Sequence, residues 1–166
     1  MVNPISLIMT LDKAVKWHQS LQINNKELVV TNGCFDILHR GHAEYLYAAR
    51  QLGDALLILQ NTDASVQKLK GSSRPIINEE DRAYLLASLR CVDAVVIFND
   101  KRCTKAIEQL QPEIYVKGGD YTLETLNEEE SAALQAAGTR CHFIPFVKNL
   151  STSQIIQKVL MTQTDV

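Results

Sequence analysis

Five short apolar segments, separated by stretches with helical patterns, constrain most strongly what this chain can fold into. In chain order they cover residues 27–31, 55–60, 94–98, 114–116 and 141–146. The second is apolar from Ala55 to Leu59 without interruption, which is typical of a strand buried on both faces. Strands that alternate with helices in this way predict an α/β fold, namely a doubly wound parallel five-stranded sheet with helices on both faces.

The connection after the first apolar segment carries the most distinctive chemistry. It reads Thr-Asn-Gly-Cys-Phe-Asp-Ile-Leu-His-Arg-Gly-His over residues 31–42 and leads into the alanine-rich helical segment 43–50. His39 and His42 are three residues apart, which places both imidazoles on one side of a first helical turn. Unpaired N–H groups and the positive end of the helix dipole favour an anion there, and Gly41 would let a phosphate approach the backbone. We interpret this connection as a phosphate-binding site.

Two simpler interpretations of the histidine pair stay open at this point. The side chains can be ordinary surface residues, or they can form half of a zinc site. Zinc usually has three or four protein ligands. His18 and His142 lie far from the pair in sequence and show no ligand spacing with it. The position of the pair relative to the sheet therefore matters more than its local chemistry.

Three further segments with ligand-binding residue types follow other predicted strands. They are a basic loop within residues 61–78, a Gly-Gly turn in residues 117–121, and the hydroxyl-rich helix start 151–153. Each also has an ordinary explanation, as a solvated loop, a turn or a helix cap. In a parallel sheet, however, ligands bind beyond the carboxyl ends of the strands. All of these segments lie at that edge, either directly or through the following helix, so their convergence predicts a ligand site.

Composition and charge restrict the class of partner. Seventeen Lys and Arg against nineteen Asp and Glu leave a net charge of −2, so we expect no nucleic-acid partner and no membrane partner. Cys34, Cys91, Cys103 and Cys141 form no C-x-x-C pair, which favours buried thiols in a reducing cytosol. Residues 1–10 lack the basic lead of a signal peptide, and no uncharged apolar run reaches about 18 residues. We expect a cytoplasmic protein.

The length of 166 residues predicts a single domain. We divide it into an N-terminal helical segment (1–24), a core (25–161) and a tail (162–166). His18, on the first helix, is interpreted as a packing residue. Gly53 is predicted to end the helix that follows the histidine pair, as a C′ glycine does.

With these segments assembled, the chain resembles the nucleotidylyltransferase superfamily that is marked by the sequence H-x-G-H. Here the motif is His39-Arg40-Gly41-His42, preceded by Phe35-Asp36, and the similarity runs from about residue 29 to residue 156. The chain is particularly similar to the adenylyltransferase domain of the bacterial ADP-heptose synthases. That similarity lies in residues 31–42, 63–66, 68–71, 74–75, 116–121, 151–152 and 155–156.

The resemblance implies a Rossmann-like fold of the nucleotidylyltransferase type and transfer of AMP from ATP to a sugar 1-phosphate. The expected acceptor is D-glycero-D-manno-heptose 1-phosphate, and the expected products are ADP-heptose, for cell-surface lipopolysaccharide, and pyrophosphate. In such proteins this domain is often fused behind a sugar kinase, so we expect a separate sugar kinase upstream of this chain. The resemblance also implies a homodimer, with Arg82 and the neighbouring helix as a candidate contact.

The resemblance also implies which residues act at the predicted edge. We assign His39, His42 and Lys70 as catalytic residues that bind the phosphates and stabilise the transition state. The expected nucleotide-binding residues are Thr31, Asn32, Gly33, Cys34, Phe35, Asp36, Gly41, Lys68, Lys117, Gly119, Asp120, Tyr121, Ser151, Thr152 and Ser153. Asp36 either orients the turn that carries the two histidines, residues 39–42 (the histidine turn), or interacts through Mg²⁺. No side chains are predicted as metal ligands, and Mg²⁺ is expected to accompany ATP as its counter-cation.

Such a reaction needs alignment and charge neutralisation more than it needs a base. The nucleophile is an oxygen of the acceptor phosphate, which is already ionised at pH 7 because its second pKa is about 6. The protein must hold it in line while pyrophosphate leaves. This requirement matches a site with histidines and lysines and without an obvious general base.

Departures from the family pattern keep alternatives open. Leu150 stands where the family usually has a small residue, which leaves Lys148 as the expected charge beside the hydroxyl-rich segment. Glycerol-3-phosphate cytidylyltransferases have a tryptophan where this chain has Tyr121, which favours ATP over CTP here. One alternative function is a cytidylyltransferase that uses CTP and glycerol 3-phosphate or a similar small phosphorylated alcohol. A remote alternative is a non-catalytic nucleotide-binding sensor.

Overall fold

The structure is a computed structural model that describes residues 2–119, 121–122, 124–145 and 150–162. Its strands are β1 (Leu28–Gly33), β2 (Ala55–Asn61), β3 (Ala94–Phe98), β4 (Ile114–Gly118) and β5 (Arg140–Ile144). They form one parallel sheet in the order β3-β2-β1-β4-β5. The predicted parallel five-stranded sheet is confirmed, and the strand ends differ from the prediction by no more than about two residues.

Helices cover both faces of this sheet, as a doubly wound fold requires. They are α1 (Leu11–Ile23), α2 (Arg40–Arg50), α3 (Asp63–Lys70), α4 (Glu79–Ala87), α5 (Thr104–Leu110), α6 (Glu128–Ala136) and α7 (Thr152–Thr162), after a short 3-10 turn at Pro4–Leu7. Leu28 and Val30 of β1 pack in one core cluster with α1, α5 and α6. Val29, between them, packs in a second cluster with α2 and α4. The alternation follows from the two-residue period of a strand.

The chain reverses its direction of winding between β1 and β4. β1 pairs with β2 on one side and with β4 on the other, so that Thr31 lies opposite both Ile58 and Val116. The loops that leave β1 and β4 therefore diverge to opposite faces of the sheet. A crevice forms at such a switch point, and it is the usual ligand site of open α/β sheets.

Gly53 has a different role from the predicted one. α2 ends at Arg50, and Gly53 is not among the described glycines with positive φ. A Cβ atom on Gly53 would lie 2.7 Å from Val29 Cγ2 and 3.0 Å from the carbonyl oxygen of Glu27. The prediction of a C′ glycine is wrong, because glycine is needed here for close approach to the start of β1.

Arg82 is also placed differently from the prediction. Its side chain has no exposed surface, and its guanidinium donates to the carbonyl oxygens of Ile77, Cys34 and Asn61 and to the carboxylate of Asp63. The prediction that Arg82 contacts a second subunit is wrong, because every one of these partners lies within the same chain. Arg82 instead ties α4 to the loops that leave β1 and β2.

His18 packs between α1 and the start of β4, as predicted. Its Nδ1 atom lies 2.9 Å from the carbonyl oxygen of Leu110, and its Nε2 atom lies 2.9 Å from the carboxylate of Glu113.

The four thiols are free, but only Cys103 is fully buried, and the other three are half-buried. Within the part of the chain that the structure describes, no helix is both long and apolar enough to cross a bilayer.

Candidate active site

A cleft of about 620 Å³ opens beyond the carboxyl ends of β1 and β4. Its volume lies within the range of small-molecule sites in proteins. Ten of the predicted site residues line it: Asn32, Gly33, Cys34, Phe35, Asp36, His42, Lys70, Lys117, Tyr121 and Thr152. The switch point of the sheet therefore brings together segments from β1, α2, α3, β4 and α7, as the sequence predicted.

The histidine pair forms a stacked unit at the start of α2. His39 is the residue that precedes the helix, and it makes no side-chain capping bond. The ring centroids of His39 and His42 are 3.9 Å apart and the planes are inclined by 22°. The rings of Phe35 and His42 pack edge to face, with their centroids 5.3 Å apart. The Nδ1 atoms of both histidines are buried and have no hydrogen-bond partner among the described residues.

Burial keeps this pair neutral in the free protein. It lowers the pKa of His42 to about 4, with further lowering from the charges of His39 and Lys70 and a small opposing effect from the backbone of Ile37. Burial also lowers the pKa of His39. Near pH 7 the two rings therefore offer neutral hydrogen-bonding groups, and Lys70 is the formal positive charge beside them.

Gly41 leaves space for the ring of His39. A Cβ atom at Gly41 would lie 3.0 Å from both Cε1 and Nδ1 of that ring, and 3.5 Å from Cβ of Leu150. Gly41 does not line the cleft. The structure thus gives a reason for the glycine, space for the His39 ring, that is separate from the predicted approach of a phosphate to its backbone. Leu150, the departure from the family pattern, packs beside the same turn.

Asp36 orients the turn. Its carboxylate accepts hydrogen bonds from Arg74 Nε and from the N–H groups of Ile76 (2.7 Å) and Ile77 (3.0 Å). Burial alone would raise the pKa of Asp36, but these hydrogen bonds, that of Ile77 foremost, hold it below its usual value. Of the two predicted roles, the geometry supports orientation and not an interaction through Mg²⁺.

A resident metal does not fit the side chains near this cleft. Among the residues described, no group of three or more His, Cys, Asp or Glu side chains could hold a metal ion. The carboxylate of Asp36, which lines the cleft, already accepts three hydrogen bonds from nitrogen donors.

The basic segment separates into one residue at the cleft and one away from it. The sequence predicted a basic loop here. Lys68 and Lys70 instead lie in the last turn of α3. Both side chains are exposed, but Lys70 lines the cleft and Lys68 does not. Thr31 does not reach the cleft either, because it is fully buried and its hydroxyl pairs with the hydroxyl of Tyr45 at 2.6 Å. Thr31 therefore stabilises the sheet edge, which corrects its predicted contact with the nucleotide.

Three more predicted residues, Gly119, Ser151 and Ser153, do not line the cleft. Gly119 is buried with φ +109, and its N–H group donates to the carbonyl oxygen of Ile144. Ser151 accepts a hydrogen bond from the backbone of α7, as a cap does, while Ser153 is exposed. Neither serine lines the cleft. Asp120 and Lys148 lie outside the described residues.

Sequence reasoning missed a second group of cleft residues. Lys101 and Arg102 follow β3, and Asn127 and Glu130 lie at the start of α6. The two basic residues could have been found by the same argument that found the others, because they follow a strand at its carboxyl end. Glu130 could not have been found in this way. It follows Glu128 and Glu129, and three acidic residues in the first turn of a helix are an ordinary pattern.

Residues 30–159 match the family model described as cytidylyltransferase-like. The chain belongs to this cytidylyltransferase-like family. The match covers most of the chain and includes the histidine turn and most of α7. The predicted resemblance to the nucleotidylyltransferase superfamily, and with it the nucleotidyltransferase class, is confirmed.

Two curated relatives share the name bifunctional protein HldE. The one from Citrifermentans bemidjiense is 52% identical over 135 residues, which are 81% of this chain and 27% of that protein. The one from Helicobacter pylori strain J99 is 48% identical over 158 residues, which are 95% of this chain and 32% of that protein. The chain thus spans about a third or less of the length of these relatives.

A solved structure has the same fold. The crystal structure of the lipopolysaccharide core biosynthesis protein from Thermoplasma volcanium GSS1 matches with a TM-score of 0.60 and 26% identity. The match covers 75% of this chain and 99% of that chain. The Rossmann-like arrangement predicted from the sequence is therefore confirmed.

Proposed function

We propose that this chain transfers AMP from ATP to a sugar 1-phosphate and releases pyrophosphate, as a nucleotidyltransferase of the adenylyl type. The acceptor that we propose is D-glycero-D-manno-heptose 1-phosphate, which would give ADP-heptose for lipopolysaccharide. The observation that carries the proposal is that His42, stacked on His39, lines the switch-point cleft together with Lys70. Similarity to the HldE proteins and to a lipopolysaccharide core biosynthesis protein supports the choice of acceptor.

The chemistry is an in-line displacement at the α-phosphorus of ATP. An ionised oxygen of the acceptor phosphate forms the new bond to that phosphorus. The bond from the α-phosphorus to the bridging oxygen breaks, and pyrophosphate leaves with the electron pair. His42 donates a hydrogen bond to the phosphates, and Lys70 neutralises charge on the leaving group. Because the nucleophile carries no proton at pH 7, no side chain has to act as a general base.

Mg²⁺ is part of the proposed substrate. ATP carries it as a counter-cation for the phosphates. Lys70, Lys101, Arg102 and Lys117 line the cleft and supply positive charge to it, and Lys70 is the one that acts on His42. The nucleotide-binding roles of residues 33–36, Tyr121 and Thr152 belong to this proposal, and their positions around the cleft support it. Asn32 and Lys117 line the same cleft.

The partners follow from the proposed chemistry and from the resemblance. The acceptor must already be phosphorylated, so a sugar kinase has to act before this step. Free thiols and the use of ATP fit a reaction in the cytoplasm.

We also propose a homodimer through α4, where Tyr84 and Leu85 are exposed whereas Arg82 is not. Sedimentation of the wild type and of Leu85→Glu tests this, and a wild type that is monomeric at all concentrations contradicts it.

Pyrophosphate release tests the proposed reaction. The purified protein is incubated with ATP or CTP and a panel of acceptors: heptose 1-phosphate, mannose 1-phosphate, glycerol 3-phosphate and phosphocholine. We expect release with ATP and a sugar 1-phosphate. Preference for CTP and glycerol 3-phosphate would support the cytidylyltransferase alternative, with which the description of the family model agrees. Binding of ATP without turnover on any acceptor would support a nucleotide sensor.

A further inference from the structure

The cleft has two walls that differ in chemistry. One wall carries His42, Lys70 and Thr152, from α2, α3 and α7. The opposite wall carries Asn127 and Glu130 from the start of α6, which packs on the other face of the sheet from α2. Lys101 and Arg102 also line the cleft. The floor between the walls is formed by Asn32 of β1 and Lys117 of β4.

Glu130 is a buried carboxylate that the proposed reaction has not used. Its side chain is 7% exposed, yet it lines the cleft. Oε1 accepts from the N–H group of Cys103 at 3.4 Å and from its thiol at 3.5 Å. Oε2 lies 3.8 Å from Lys117 Nζ, beyond hydrogen-bonding distance, and forms no hydrogen bond with the described residues. Because Glu130 lines the cleft, its Oε2 atom can accept a hydrogen bond from a ligand that enters there.

The side-chain amide of Asn32, between the two walls of the cleft, offers hydrogen-bond donors that complement the carboxylate of Glu130. Its Oδ1 atom accepts from Lys117 Nζ at 2.8 Å and from the hydroxyl of Tyr115 at 2.8 Å. These two donors determine the orientation of the amide, because the flipped orientation would direct N–H groups at an ammonium. The Nδ2 group of Asn32 has no partner among the described residues, so its two N–H donors remain for a ligand.

We propose that Glu130 and Asn32, with Lys117 between them, bind hydroxyl groups of the acceptor sugar, and that Glu130 is the specificity-determining residue. A hydroxyl group both donates and accepts, so it satisfies the Oε2 atom of Glu130 and the Nδ2 group of Asn32 together. A phosphate cannot, because it would bring negative charge against the carboxylate. The ligand of this pair is therefore a polyhydroxylated part of a substrate.

The in-line geometry assigns that part to the acceptor. His42 and Lys70 hold the departing pyrophosphate on one wall, so the nucleophile approaches from the opposite side. Glu130 reaches the cleft from α6, on the other face of the sheet from α2. The inference rests on the proposed function, and it explains why a sugar phosphate would be preferred to a small phosphorylated alcohol, which offers fewer hydroxyl groups to a buried carboxylate.

Glu130→Gln tests the inference, with Glu129→Gln as the matched control. Glu129 is exposed in the same first turn of α6, so its variant changes the same charge at the same helix end. We expect Glu130→Gln to raise the KM for heptose 1-phosphate about 10–100-fold, the loss typical of a hydrogen bond to a charged group. The KM for ATP and the Tm stay near the wild-type values, and Glu129→Gln behaves as the wild type. A rise in the KM for ATP would assign Glu130 to the ribose and overturn the proposal.

Heptose 1-phosphates that lack one ring hydroxyl each distinguish binding from a purely structural role. The wild type should lose most with the analogue whose missing hydroxyl contacts Glu130, and Glu130→Gln should lose little more with that analogue. Equal penalties in both proteins for every analogue overturn the proposal.

Calorimetric binding of the same sugar phosphates, in the presence of a non-hydrolysable ATP analogue, separates the two proposals. A wild type without pyrophosphate release refutes the proposed function. Equal affinity of the wild type and Glu130→Gln for the sugar phosphate refutes the role of Glu130.

Discussion

The rings of His39 and His42 stack with their centroids 3.9 Å apart and their planes inclined by 22°. Two imidazolium rings at this distance would repel each other, so the stack requires that at least one ring is neutral. Burial meets this requirement by lowering the pKa of both histidines. The free protein therefore holds two neutral imidazoles ready at the start of α2, and the geometry exists before any phosphate arrives.

Replacement of His42 should abolish most of the activity without unfolding the protein. His42 lines the cleft, and in the proposed reaction it donates a hydrogen bond that strengthens as pyrophosphate leaves. Loss of one positioned donor of this kind costs about 10²–10³ in turnover, or about 3–4 kcal/mol. We expect a loss of that size in kcat for His42→Ala, measured by pyrophosphate release.

His142→Ala is the matched control for that variant. His142 is exposed on the edge strand β5 and does not line the cleft. Its replacement should leave both kcat and Tm unchanged. A near-normal rate in His42→Ala, with a Tm equal to that of the wild type, would remove the support for the proposed function.

The low pKa of His42 should make folding depend on pH. An unfolded histidine binds a proton below about pH 6.5, whereas folded His42 stays neutral down to about pH 4. The unfolded state thus binds more protons in this window, so the free energy of unfolding falls as the pH drops from 6.5 to 4. Because the ring borders an open cleft, we expect a loss of about 1–2 kcal/mol, below the full value of the shift. Urea unfolding of the wild type and His42→Gln measures it, and identical pH profiles would contradict it.

The sequence predicted the elements and most of the histidine side of the cleft, because both depend on local patterns. The run 55–59 has to be buried, and a motif such as His39-Arg40-Gly41-His42 keeps its geometry within one turn. Long-range contacts were not predictable. Glu130 becomes a cleft residue only because α6 begins beside Lys117. Gly53 is required by Val29, which lies more than twenty positions earlier in the chain. Spacing in sequence contains no information about such pairs.

Lys70 and Lys68 should differ sharply in their effect on turnover. The two lysines lie in the last turn of α3, and only Lys70 lines the cleft beside the histidines. We expect Lys70→Ala to lower kcat about 10²-fold, because a positive charge that faces the leaving pyrophosphate is lost. Lys68→Ala should change kcat by less than about 3-fold, because its charge lies away from the cleft and is screened from the phosphates by water and salt. Steady-state kinetics with ATP as the varied substrate makes the comparison, and equal losses would contradict it.

The ion pair of Asp36 and Arg74 should contribute far more to stability than the pair of Arg40 and Glu44. The side chains of Asp36 and Arg74 are 1% and 13% exposed. Those of Arg40 and Glu44 are 79% and 44% exposed. Removal of one partner from a buried pair leaves an unpaired charge and costs about 3–5 kcal/mol. An exposed pair with the i, i+4 spacing contributes about 0.3–0.5 kcal/mol.

We therefore compare Arg74→Ala with Arg40→Ala in urea at pH 7, where Asp36 is ionised in both the folded and unfolded states. The low pKa of Asp36 means that its contribution is present above about pH 4, its usual unfolded value, and is lost as the pH falls below it. The difference between the two variants should accordingly shrink in acid. Arg74→Ala should also lower kcat, because Asp36 connects the histidine turn to residues 76 and 77. Equal stabilities of the two variants at pH 7 would show that the buried pair does not hold this turn.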